Sequence, residues 1–79
     1  MTDEEIIEKV LKDEYDNEES NFYQYHAKDV VGMYYGFEGT KYSIAEIAAK
    51  LELHEEVVKY LIKMSKIRAK HPARMTKYK

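Results

Sequence analysis

The chain has no cysteine, which excludes disulfide staples and thiolate zinc sites alike. It has one proline, Pro72, and three glycines, of which Gly36 and Gly39 sit close together. So few breakers in 79 residues point to helices with one marked interruption. No apolar run approaches the roughly 20 residues that a membrane-spanning helix needs. No signal peptide opens the chain, so a soluble, cytoplasmic protein with no membrane contact is expected. There is no internal repeat. No segment alternates as a strand does, and no Gly-rich loop follows one to cradle a phosphate. The three histidines, His26, His54 and His71, lack the i,i+4 spacing of a helical metal pair. They are expected at the surface, with His54 as a helix cap. No enzyme activity, metal or cofactor is expected.

What is present is charge, unevenly placed. The formal net charge is −2. Residues 1–20 hold nine acids against Lys9 and Lys12, whereas residues 59–79 hold eight Lys or Arg and no acid. A basic C-terminal third is an electrostatic footprint for phosphate or for an acidic protein surface. The plainer reading is intramolecular, with the acidic first helix pairing with the basic last one. Seventy-nine residues make one domain whose core is small enough to lean on well-formed helices or a partner.

The stretch from Tyr42 to Lys70 organises the rest. Ser43 and Glu46 form a capping box. Ile44, Ile47, Ala48 and Leu51 follow at helical spacing, and the pattern breaks at Glu52-Leu53-His54. It resumes at Val57, Val58, Leu61 and Ile62 and closes before Pro72. Ala48 is a small residue where a second helix can cross, with Val58 and Leu61 packing on it, as in a helix-turn-helix. Glu52 stands where such a turn often has Gly, so either another residue takes the positive φ or the turn is a variant. Upstream, Thr2 and Glu5 form another capping box, and Ile6, Ile7, Val10, Leu11 and Tyr15 make one stripe to about Tyr15. A second helix is expected from Ser20 or Asn21 to Tyr35, burying Phe22, Tyr25, Val30, Met33 and Tyr34 and exposing Tyr23, His26 and Lys28. Gly36 suits its left-handed end, with Phe37 folding back. The expectation is an all-α, four-helix domain over residues 1–70, with the helix-turn-helix at about 43–70 and a basic, disordered tail at 71–79.

The segments VVGMYYGFEG, KYSIAEIAAKLEL and HEEVVKYLIKMSKIR (residues 30–68) resemble the fourth conserved region of bacterial sigma factors. The likeness rests on Tyr35-Gly36, on Glu46-Ile47-Ala48 ending in Leu51, and on Val58 opening the core side of the recognition helix. It implies a domain that reads promoter DNA and docks on RNA polymerase. It further implies a stand-alone homologue, of phage or mobile-element type, acting as an accessory or a decoy. The chain departs from that family at Glu52 and at His54-Glu55-Glu56, where a Ser or Thr followed by arginines is usual.

In a helix-turn-helix the start of the second helix faces base edges. The candidate contacts to double-stranded DNA are Ser43, His54, Lys59, Tyr60, Lys63, Lys66, Arg68 and Lys70. Ser43 has the plainer role of a cap, and Glu55 and Glu56 that of stabilising the helix dipole. If about five cations neutralise phosphates, the log–log salt slope is about −4 to −5. Tyr60, Met64 and Ile67 form a further stripe on the same helix. It either packs beneath the first helix or serves as a partner surface. Two other functions fit the residues: a protein-interaction module, such as a homodimer or adaptor, that keeps the fold without reading DNA, and a phage packaging or replication adaptor.

Overall fold

The computed structural model describes residues 2–78. Its elements are α1 (Asp3–Asp16), α2 (Ala27–Tyr35), α3 (Ile44–Leu51), α4 (Glu55–Ala69), α5 (Pro72–Met75) and a 3-10 turn at Thr76–Tyr78. Among the described residues the fold is all-α, with the four expected helices and a short fifth. Among the described residues, no helix is long and apolar enough to cross a membrane.

Local chemistry fixes most helix ends. At α1 the Thr2 hydroxyl accepts from the Glu5 amide at 3.2 Å, and the Glu5 carboxylate accepts from the Thr2 amide at 3.1 Å. Such a cap contributes about 1 kcal/mol. At α2 the left-handed residue is Gly36, φ 73°. Phe37 folds back, its amide bonding the Gly32 carbonyl at 2.9 Å and its ring stacking on Tyr35.

The start of α2 departs from expectation. Residues 20–26 are irregular, and the helix begins at Ala27. The Ser20 hydroxyl accepts from the Phe22 amide at 3.1 Å and donates to Glu14 at 2.7 Å, a local bonding pattern that competes with a helical turn. Tyr25 has φ 52°, a conformation no right-handed helix can pass through. Phe22 is buried as expected, but from a loop. Tyr25, expected inside, is 95% exposed, while Tyr23, expected outside, is half-buried. The Tyr23 hydroxyl donates to the Leu11 carbonyl at 2.6 Å, and burial pushes its pKa up.

Two apolar clusters make the core. The first joins Ile6, Ile7, Val10 and Leu11 of α1 to Phe22, Val31, Ala69 and Met75. The second joins Ala27 and Val30 of α2 to Ile47 and Ala48 of α3 and to Val58, Leu61 and Ile62 of α4. Helices α2 and α4 therefore contribute to both. Burying each of the larger aliphatic side chains stabilises the fold by about 1.5–3 kcal/mol.

Residues 71–78 of the expected disordered tail are instead ordered, and the helical body does not stop at residue 70; Lys79 lies outside the described residues. Pro72 stands at the first position of α5, where its fixed φ suits a helix start. His71, expected as a plain surface residue, caps this helix, its Nδ1 accepting from the Ala73 amide at 3.2 Å. The driving residue is Met75, buried in the α1 cluster. Arg74 lies 5.1 Å from the centre of the Phe22 ring and donates to the Arg68 carbonyl at 3.2 Å.

Candidate nucleic-acid interface

Helices α3 and α4 pack through Ile47, Ala48, Val58, Leu61 and Ile62. In the turn between them Glu52 itself takes the left-handed conformation, φ 56°, so the chain needs neither another positive-φ residue nor a variant turn. Its amide and that of Leu53 both reach the Ala48 carbonyl. His54 occupies the α4 cap position by its backbone, but its side chain makes no cap hydrogen bond, contrary to the cap role expected of it.

With Val58, Leu61, Ile62, Ser65 and Ala69 turned inward, the opposite face of α4 meets solvent. His54, Glu55, Glu56, Val57, Lys59, Tyr60 and Lys63 are all exposed. Lys59, Lys63, Lys66 and Lys70 recur at i, i+4, i+7 and i+11, which places them within about 60° of arc around the helix. They line one groove of about 340 Å³ with Tyr34, Ile44, Ile62 and Ile67, and no carboxylate lines it.

Among the described residues the ion pairs are Lys12–Asp16 at 3.1 Å and Lys59–Glu56 at 3.5 Å. The plainer reading of the charge asymmetry, α1 acids paired with α4 bases, is therefore not realised as contacts. Helix α1 instead meets α4 through apolar residues, Ala69 among them. The Glu56–Lys59 pair is largely exposed, so it contributes at most about 1 kcal/mol and leaves Lys59 able to exchange partners.

Ser43 stands next to this groove, one residue before Ile44. Its hydroxyl accepts from the Glu46 amide at 3.1 Å, and its amide donates to the Glu46 carboxylate at 2.9 Å. That backbone bond, ahead of the hydroxyl contact, holds the Glu46 carboxyl below its ordinary pKa. Ser43 is thus committed as a cap. The amides of Ile44 and Ala45 are the groups at this helix start that an anion could still engage.

Three further candidates, His54, Tyr60 and Arg68, do not line that groove. Arg68 is turned away from the lysines and sits 5.5 Å from the centre of the Phe22 ring, because it falls half a turn around α4 from Lys59. The stripe of Tyr60, Met64 and Ile67 does not pack beneath α1. Tyr60 is 58% exposed and Ile67 48% exposed. Ile67 lines the lysine groove, whereas Tyr60, Met64 and Arg68 border a second groove with Gln24 and Tyr25. Tyr34 and Ile44, which the sequence suggested only as core residues, are walls of the lysine groove. Nothing in the α2 or α3 pattern marks them for that. No family model, curated protein or solved structure matches this chain.

Proposed function

We propose that this protein binds double-stranded DNA through the lysine face of α4, as a small helix-turn-helix factor acting in transcription. The observation that carries the proposal is the alignment of Lys59, Lys63, Lys66 and Lys70 on one solvent face, along a groove lined by no acid. Four ammonium groups at successive turns can track a phosphate backbone, while Lys59 and Lys63 also reach base edges. The likeness to the sigma fourth region, carried by Tyr35-Gly36, Glu46-Ile47-Ala48 and Val58, supports transcription as the setting. It makes RNA polymerase the first protein partner to test, and the cytoplasm the place of action.

The test is duplex binding by the full chain, followed by NMR at two salt concentrations. Replacing Lys59 and Lys63 by Ala is expected to weaken binding more than replacing Lys77 and Lys79. With four lysines on phosphates, and Arg68 held on Phe22, the log–log salt slope is expected to be about −3.6. Equal losses for the two pairs, or shifts confined to residues 70–79, would retire DNA reading by α4.

A further inference from the structure

We infer that a second copy of this chain docks on the groove between the residue 22–27 segment and α4, with Tyr25 of each copy seated in the groove of the other. The two observations are a projecting ring and a hole beside it. Tyr25 is 95% exposed and its backbone holds φ 52°, so an unfavourable conformation presents an aromatic ring to water. The adjacent groove has a volume of about 130 Å³, lined chiefly by Phe22, Ala27, Leu61, Met64 and Tyr60. An apolar cavity of about 150 Å³ takes a benzene ring, so this groove is on the scale of one aromatic side chain. Tyr25 is itself on the rim, so it cannot fill the hole it borders while remaining that exposed.

The exposed ring and the groove lie on one patch, which is therefore complementary to itself, and charge permits the pairing. A twofold axis sets each surface patch against its own copy, so a patch of one sign opposes itself. The acid-rich surface of α1 and the lysine face of α4 both fail that condition. The Tyr25 groove is lined by no acid, and its single cation, Arg68, already lies over the Phe22 ring. It can meet its own copy without like-charge conflict at its centre. Met64, polarizable and half-buried, suits an aromatic partner. The contact is apolar and differs in site from the lysine groove. It stands whether or not α4 binds DNA, and it would carry two lysine faces about one axis.

Sedimentation equilibrium of the full chain, from micromolar to millimolar concentration at low and high salt, tests this. A monomer–dimer equilibrium insensitive to salt is expected. Tyr25→Gly removes the ring and suits the positive φ, so it should weaken the dimer by at least about tenfold, as loss of an aromatic anchor does, while the fold is retained. Met64→Lys should act likewise. In a sample mixing labelled and unlabelled chains, intermolecular NOEs between the Tyr25 ring and the Met64 methyl are expected. A monomer at millimolar concentration, a dimer dispersed by salt, or a dimer indifferent to Tyr25→Gly would each overturn the assignment.

Discussion

Glu52 carries a conformational cost for the turn that positions α4. A side chain at φ 56° is held where Cβ crowds the following carbonyl, at roughly 1–2 kcal/mol. The residue is exposed, and its side chain makes no ion pair among the described residues. Glu52→Gly is therefore expected to stabilise the domain by about 0.5–1 kcal/mol, the gain being reduced by the greater freedom of Gly in the unfolded chain. Thermal unfolding followed by circular dichroism should show a rise of a few degrees. Glu52→Ala keeps the Cβ and should show none; an equal rise for both variants would mean that φ is not the cause. Tyr25 is in the same backbone region but differs in kind, since there the ring itself is presented to solvent.

Among the elements, α5 is the one whose presence most changes the molecule. It is four residues long, too short to be stable alone, and it persists because Met75 enters the α1 cluster. Met75→Ala is expected to cost about 2–4 kcal/mol in urea unfolding, whereas Lys77→Ala, at an exposed position, should cost little. A near-zero loss at Met75 would show that the segment does not contribute to the core. This dependence on docking explains why the sequence suggested a tail. The ends of α1 and α3 were legible because Thr2 with Glu5 and Ser43 with Glu46 are self-contained over four residues, and Gly36 likewise. The start of α2 was not, because Phe22 reaches the core from an irregular segment anchored by Ser20 and Glu14. The lysine row could be read from spacing alone. The same spacing puts Arg68 on another side of α4, a geometric signal that its charge obscured. Tyr34 and Ile44 became groove walls only once three helices met.

At the scale of the whole molecule, the α4 lysines line a groove that no α1 acid enters, whereas Arg74 and Lys77 share another with Asp13 and Glu14. The two apolar clusters are not divided between helices. Val30 and Val31, adjacent on α2, face different clusters, and α4 gives Val58, Leu61 and Ile62 to one and Ala69 to the other. Losing either cluster strips an apolar side from both shared helices. The domain should consequently open as one unit, with no foldon of its own for the helix pair proposed to meet DNA. In native-state hydrogen exchange, the slowest amides of α1 and of α3 should report a single opening free energy and converge on the same denaturant dependence. Earlier exchange in α3 would instead mean that the helix-turn-helix can come apart while α1 stays folded.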